Sequence, residues 1–239
     1  MTRKPVIIML TAALLMSVAA WGQSLPKFKF GEPTMEELKM TTYDKDSSAA
    51  AVVLLNLRDV GFRLDGGDIT EVTTNRFRIK ILKDAGKDYA NVDHVLYNSQ
   101  GAKGHEKIFG IKAVAVNLEN GKVVKTKMKS DMIFTEKIDE YHDRVKFTIP
   151  QAKVGSVIEY EYNVSSDLYY QMDDWNAQQP IPVVHARYTS IIPEWLLFRY
   201  ELRGPGLLQP ILGDGLVARS DVIQTTSKNY VYVGNNMPA

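Results

Sequence analysis

Apolar and polar side chains alternate with a period of two along most of the chain, which is the pattern of half-buried β-strands. The alternation is clearest between Thr70 and Leu82, where isoleucine and phenylalanine are separated by arginine and lysine. A continuous run of small apolar residues from Ala49 to Leu55 predicts a strand that is covered on both faces. The predicted strands are 49–55, 70–82, 108–118, 122–128, 145–149, 156–164, 183–192, 195–202, 221–226 and 229–233.

Sequence patterns typical of turns lie between the predicted strands, and a pattern typical of a helix cap precedes them. Asn120-Gly121 is the sequence of a type I′ hairpin turn, and Asp65–Asp68 also predicts a turn. Thr34 followed by Glu37 predicts a capping box at the start of a short connecting helix. The chain is therefore predicted to be all-β, either an antiparallel β-sandwich or a large twisted antiparallel sheet, with one or two short helices.

The N-terminus has the pattern of a signal peptide. Arg3 and Lys4 form a short basic region, and an uncharged apolar run follows from Val6 to Met16. That run is shorter than the roughly 20 residues that a membrane-spanning helix needs. Small residues before Gln23 fit cleavage at that point. The sequence thus predicts export and no transmembrane anchor after cleavage.

Composition excludes several classes of protein. Hydrophobic residues make up 45% of the 239 residues and opposite charges nearly balance, which is typical of a folded domain and not of a disordered chain. There is no cysteine, which excludes a disulfide-rich fold, a zinc–cysteine module and a cysteine nucleophile. A formal net charge of +1 provides no field that would attract nucleic acid. We expect a signal peptide at 1–22, a leader with the short helix at 23–42 and a single β-rich domain at 43–239 with a truncated C-terminus.

Four stretches share their order and spacing with one known family. They are Tyr43–Leu54, Pro150–Tyr162, Pro180–Pro193 and the final segment Asn235–Ala239. Together they resemble the bacterial family called domain of unknown function 3857. In that family the domain usually follows a signal peptide and precedes a transglutaminase-like domain with a Cys-His-Asp triad. The resemblance implies a β-domain that accompanies such an enzyme domain, and none of the triad's chemistry carries over to a chain without cysteine.

Candidate catalytic and metal-binding residues are few, and we predict neither a metal nor a cofactor. The histidines fit no metal-binding motif; they are His94, His105, His142 and His185. The aspartates of two short acidic stretches supply too few oxygens for calcium; they are Asp65, Asp68, Asp173 and Asp174. Three carboxylates could face a groove as in a glycoside hydrolase, or face solvent; they are Glu159, Glu161 and Asp174. Four lysines predict an exposed edge strand, with an anionic partner as the alternative; they are Lys122, Lys125, Lys127 and Lys129.

Aromatic residues form the candidate binding group. Tyr160 and Tyr162 share one face of a predicted strand with aliphatic residues, and we predict that they belong to the core. Tyr169, Tyr170 and Trp175 lie in a polar loop among aspartate, asparagine and glutamine. That mixture of flat apolar faces and hydrogen-bonding groups suits a sugar ring or a partner domain.

These observations predict an exported, non-catalytic β-domain that binds or positions a partner module. The partner is either a transglutaminase-like domain or an envelope glycan or protein, and no nucleic acid is expected. We expect the protein in the periplasm, or associated with the cell envelope, of a Gram-negative bacterium. The alternative is a glycan-binding or glycan-cleaving envelope protein, which a groove with two carboxylates roughly 5–10 Å apart beside exposed aromatics would indicate. A third possibility is a remnant of a truncated two-domain gene.

Overall fold

The computed structural model describes residues 28–65, 67–199, 201–220 and 225–239. The predicted signal peptide and its cleavage site at Gln23 lie outside these residues. So do Gly66 of the predicted turn and residues 221–224 of the predicted strand 221–226. Within the described ranges, no helix has both the length and the apolar character that crossing a membrane requires.

The described chain forms one α-helix, two 3₁₀ helices and eleven strands. The helix is α1 (Met35–Lys39), and the 3₁₀ helices are Asp84–Ala90 and Ser130–Met132. The strands are β1 (Ala51–Asp65), β2 (Asp68–Ile81), β3 (Asn91–Tyr97), β4 (Glu106–Glu119), β5 (Lys122–Lys127), β6 (Ile133–Lys137), β7 (His142–Thr148), β8 (Val157–Ser166), β9 (Val183–Pro193), β10 (Leu208–Ser220) and β11 (Thr225–Met237).

Two sheets pack against each other, which confirms the all-β prediction. The large sheet has eight strands in the order β10-β11-β9-β1-β2-β8-β4-β5, and the small sheet has three in the order β3-β7-β6. The core between them contains Ile158 and Tyr160 from the large sheet and Val145 and Phe147 from the small one. Two sheets that share a core in this way form a sandwich-like arrangement.

One strand pair is parallel, so the large sheet is mixed. β9 runs parallel to β1, with Val53 opposite Val183, while the other named pairs of this sheet are antiparallel. The cause is the connection between β8 and β9, residues 167–182, which we call the crossover loop. It passes β2 and β1 to reach the far side of β1, and a parallel pairing needs such a crossover connection.

The prediction of a strand at 195–202 is wrong. The described residues of this stretch form a turn and irregular backbone. The backbone N–H of Leu196 donates to the carbonyl oxygen of Pro193 at 2.9 Å, which turns the chain away from β9. Alternating apolar residues resemble a strand, but here Leu197 is 89% exposed and has no neighbouring strand. The sequence analysis also missed β3, β6 and β10.

The aromatic core residues on β8 were predicted correctly. Tyr160 and Tyr162 are 9% and 6% exposed. The Tyr160 ring stacks on Phe77 with 4.9 Å between the ring centroids, and meets Phe147 of the small sheet edge-on at 6.0 Å. Burial raises the pKa of the Tyr160 hydroxyl far above its usual range.

The short helix belongs to the core and does not merely connect two segments. Its capping box is present: the Thr34 N–H donates to Glu37 Oε2 at 2.6 Å, and the Glu37 N–H donates to Thr34 Oγ1 at 3.1 Å. Leu38 is 5% exposed and packs against a second apolar cluster on the outer face of the large sheet. The cluster consists of Tyr43, Ala49, Val52, Leu54, Leu82, Val114, Val116 and Val157.

Buried cations fix this helix to the sheet. The Arg78 guanidinium pairs with Glu159 at 3.0 Å and with Glu37 at 3.2 Å. Lys80 is fully buried and its Nζ donates to the carbonyl oxygen of Leu38 at 2.7 Å. Desolvation lowers the pKa of this ammonium to about 8.

The predicted hairpin and edge strand are also present. Asn120 and Gly121 have φ angles of 49° and 76°, as a type I′ turn requires. The turn joins β4 to β5, and β5 is an edge strand of the large sheet. All four predicted edge lysines are exposed; they are Lys122, Lys125, Lys127 and Lys129. Exposed lysines on an edge oppose pairing with another chain.

Candidate functional site

An open groove with a volume of about 990 Å³ lies over β9 and β11. The crossover loop forms one wall, and residues 197–199 and 201–208 form the other. Tyr188 on β9 lies opposite Tyr232 on β11, and Ser190 lies opposite Tyr230. These two residue pairs form the floor of the groove. None of the described lining residues comes from the small sheet.

Two polar side chains of β1 hold the middle of the crossover loop. Asn56 Nδ2 donates to the carbonyl oxygens of Asn176 and Ala177, at 3.0 and 3.3 Å. Arg58 Nη1 donates to the carbonyl oxygen of Asp174 at 3.0 Å. Asn56 is fully buried, so its hydrogen bonds satisfy an amide that would otherwise be costly to bury. The loop is therefore attached to the sheet through its backbone.

Both ends of the loop are also fixed. Asp167 Oδ1 accepts hydrogen bonds from the backbone N–H groups of Gly104 and His105, at 2.7 and 2.9 Å. Gln178 Nε2 donates to the carbonyl oxygen of Pro238 at 3.1 Å. The wall of the groove is consequently a well-attached segment, although it contains no regular secondary structure.

The three predicted binding aromatics occupy different environments. Tyr170 is 64% exposed and lines the groove. Trp175 also lines the groove, but it is half-buried: Nε1 donates to Asn56 Oδ1 at 3.3 Å, and its ring lies 5.5 Å from that of Tyr188. Tyr169 is half-buried against a small apolar cluster and does not line the groove. Only Tyr170 presents most of its surface to solvent, and Trp175 anchors the loop.

Charged and apolar groups share the groove. Leu197 and Leu202 on the second wall are 89% and 53% exposed. The charged lining residues are Asp173, Asp174, Arg199, Glu201 and Arg203. Burial raises the pKa of the Tyr188 hydroxyl on the floor to about 12, so this tyrosine is neutral in any ordinary buffer. A groove of this mixed character can bind either a protein surface or a polar ligand with flat apolar faces.

Two of the three carboxylates considered for glycoside hydrolysis lie away from the groove. Glu159 is fully buried, accepts a hydrogen bond from the Gly31 N–H at 2.7 Å and pairs with Arg78. Glu161 pairs with Arg76, with 2.8 Å between Nε and Oε2. Both alternate along β8 with Tyr160 and Tyr162 and therefore point to the outer face, whereas Asp174 lines the groove.

A second, water-sized cavity of about 10 Å³ adjoins the groove. Gln171 and Asp173 of the crossover loop line both spaces. The ionisable residues around the small cavity are Arg58, Glu71, His94, Glu106 and Asp173. No group of three or more histidine or acidic side chains in the described part of the chain is arranged to hold a metal ion. The cluster contains several protonatable groups.

Burial shifts the pKa values of side chains in this cluster. Desolvation raises the pKa of Glu71 to about 7, although the Thr73 hydroxyl donates to its Oε1 at 3.0 Å. Desolvation also raises the pKa of Glu106 and lowers that of His94. Among the residues that line this cavity, three buried polar atoms make no hydrogen bond within the described structure; they are Glu71 Oε2, Asn75 Nδ2 and His94 Nε2.

Sequence reasoning missed this cluster, although a signal was present. Glu71, Thr73 and Asn75 are in phase with Phe77, Ile79 and Ile81, which means that β2 places them on its inward face. Polar residues that continue an apolar face are candidates for a buried polar site. The pattern alone did not show that Glu106 and Asp173 would lie nearby.

The fold and the groove define an all-β domain in which a mixed eight-stranded sheet is packed against a three-stranded one. The family described as "Domain of Unknown Function with solved-structure structure" (DUF3857) matches residues 67–211. The chain therefore belongs to this family, which confirms the resemblance seen in the sequence.

Solved structures give a distant match. A crystal structure of "a putative protease" from Parabacteroides distasonis ATCC 8503 matches with a TM-score of 0.53 and 13% sequence identity. The match covers 80% of this chain and 36% of that protein. At this identity the likeness establishes the fold alone. No curated protein matches the sequence.

Proposed function

We propose that this chain is an exported, non-catalytic domain that binds or positions a partner module, and that the groove is its docking surface. The observation that carries the proposal is the exposure of large side chains around the groove. Leu197, Tyr170 and Leu202 are 89%, 64% and 53% exposed, and all three line it. Exposed apolar side chains that are grouped around a concave surface mark interaction sites.

The coverage of the solved structure supports a partner that carries the catalysis, and the transglutaminase-like class is what the sequence resemblance implies. This chain corresponds to only 36% of a protein whose name describes a protease. The chain contains no cysteine, so a cysteine nucleophile of the transglutaminase type would have to come from the partner. We propose that the partner contains the catalytic module and that this domain supplies a binding surface.

The test is a calorimetric titration of the chain with a transglutaminase-like domain from the same genome. Leu197→Asp puts a charge on the exposed wall, and we expect at least tenfold weaker binding. Phe134→Asp is the matched control, because Phe134 is 66% exposed on β6 and does not line the groove. Equal loss in both variants, or no binding by the unmodified chain, would contradict the proposal.

Carbohydrate binding is a second candidate, and one observation favours it. Tyr170 and Trp175 line the groove beside the carboxylates of Asp173 and Asp174. Aromatic faces stack on sugar rings, and carboxylates accept hydrogen bonds from sugar hydroxyls. Peptidoglycan fragments and lipopolysaccharide oligosaccharides are the probes. Under this alternative Tyr170→Ala abolishes binding while Leu197→Asp has little effect, which is the reverse of the order expected for a protein partner.

The absence of catalysis and the export of the chain are parts of the same proposal. We expect the purified chain alone to show no peptidase and no transglutaminase activity. Cleavage of casein, or amine incorporation into it, by the chain would overturn this part. Export rests on the basic and apolar pattern of the first 22 residues.

A further inference from the structure

The crossover loop lies between the groove and the small cavity. Through this loop, the buried carboxyl groups of Glu71 and Glu106 in the cavity can affect the groove. We propose that the loop is a proton-controlled wall of the groove. It lies closed on the sheet when Glu71 is protonated, and ionisation of Glu71 releases the part of the loop around Asp173. The inference deepens the proposed function of the groove, but its test requires no partner.

Glu71 is placed to sense protons behind the wall. Its side chain lies on the inward face of β2 and is 6% exposed. One carboxylate oxygen accepts a hydrogen bond from Thr73, and the other has no partner in the described structure. An ionised carboxylate in this position would be largely desolvated, which is costly unless a cation or water reaches it.

Ionisable groups from five elements surround Glu71. They are Arg58 on β1, His94 on β3, Glu106 on β4, Asp173 on the crossover loop and Tyr188 on β9. Burial lowers the pKa of His94 and raises that of Tyr188, which favours the uncharged form of both side chains. Arg58 is therefore the only cation in this group.

The charge balance changes when the glutamates ionise. With Glu71 and Glu106 protonated, the positive charge of Arg58 balances the negative charge of Asp173. With both ionised, three carboxylates share one guanidinium. Like charges at close range in a poorly solvated site repel strongly, and Asp173 is exposed and can move into solvent.

The arginine is itself one of the attachments of the loop. Its Nε donates to Asn75 Oδ1 at 2.9 Å and its Nη1 donates to the carbonyl oxygen of Asp174 at 3.0 Å. A rotation of Arg58 towards ionised Glu71 that moves Nη1 out of reach of Asp174 removes one of the attachments of the wall. Movement of Asp173 and reorientation of Arg58 thus both loosen the crossover loop.

The movement is limited to a few residues. Asp167 fixes the start of the loop, and Asn56 fixes the backbone of Asn176 and Ala177 and the indole of Trp175. Between these attachments lie residues 170–174, which line the groove. Opening of this part changes the shape of the groove and leaves the sheet intact.

Distance measurements between two spin labels test the proposal. The chain contains no native cysteine, so Asp174→Cys and Lys228→Cys give a clean pair, one on the loop and one exposed on β11. Between pH 5.5 and pH 8.5 we expect the distance distribution to broaden and shift to longer separations. The midpoint should lie near the pKa of Glu71, which is about 7.

Two further substitutions, each made in the doubly labelled chain, identify the side chains that respond to pH. Glu71→Gln should hold the labels at the short separation at every pH, and Asp173→Asn should reduce the shift by removing the repelled charge. Glu140→Gln, at an exposed position away from both spaces, should respond like the unmodified chain. A pH-independent distribution in the unmodified chain, or an unchanged shift in both Glu71→Gln and Asp173→Asn, would overturn the proposal. Because no ligand is added, failure of the partner titration leaves this result unaffected.

Discussion

Replacing Glu71 by glutamine should make the protein more stable at alkaline pH and change little at acidic pH. Glutamine preserves the shape of the side chain and can still accept the hydrogen bond from the Thr73 hydroxyl. Its amide group can also donate where the glutamate has an oxygen without a partner. The substitution therefore removes the titration and keeps the packing.

The magnitude follows from the shift in pKa. Burial raises the pKa of Glu71 from 4.5 to about 7, which corresponds to about 3 kcal/mol at about 1.4 kcal/mol per pKa unit. Because the folded-state pKa is raised, the folded state binds the proton more tightly than the unfolded chain does. The resulting stabilisation is fully present below pH 4.5 and is lost as the pH rises through 7.

Urea denaturation followed by circular dichroism at pH 4.5 and pH 8.5 measures the effect. We expect the unfolding free energy of the unmodified chain to fall by about 3 kcal/mol relative to Glu71→Gln over this range. A smaller fall in the unfolding free energy would mean that ionised Glu71 contacts water or a cation. Release of the crossover loop would allow such a contact. If the difference between the two proteins were the same at both pH values, the reasoning about burial would be refuted.

Three further predictions concern other parts of the molecule. Gly86→Ala should lower the unfolding free energy by more than about 2 kcal/mol, because the new Cβ would lie 2.3 Å from a backbone oxygen, whereas Gly61→Ala has open space and should be neutral within about 1 kcal/mol in the same urea titration. Trp175→Phe should cost about 1 kcal/mol by losing the hydrogen bond to Asn56, and Trp175→Ala clearly more; equal thermal melts for the two would contradict the anchoring role. N-terminal sequencing of protein from the native host should find Gln23 or a neighbouring residue, and an intact Met1 in the cytoplasm would contradict export.

The features that the sequence predicted correctly are those that depend on local chemistry. The capping box of Thr34 and Glu37 and the hairpin at Asn120-Gly121 each involve residues that are neighbours in the chain. Period-two alternation likewise placed Tyr160 in the core. In these cases a few adjacent residues contain all the information that is needed.

The features that were missed depend on partners that are distant in the chain. β10 contains one proline and two glycines, which usually interrupt strands, yet it pairs along much of its length with β11. The apolar residues at 195–199 and 201–202 alternate like a strand but belong to none of the described strands. The site around Glu71 combines residues from six separate segments, so the position of Glu71 on an inward face could be predicted but its neighbours could not.

The parallel pairing of β1 with β9 also has a consequence for how the domain folds. Val53 and Val183 lie about 130 residues apart, yet they pair in the middle of the large sheet. Contacts of such high sequence separation slow folding, because a long loop must close before they form. Until the second half of the chain has been synthesised, one edge of the long apolar strand β1 has nothing to pair with, and such an edge invites aggregation. The nascent chain therefore depends on being kept unfolded or shielded until β9 has been synthesised and can pair with β1.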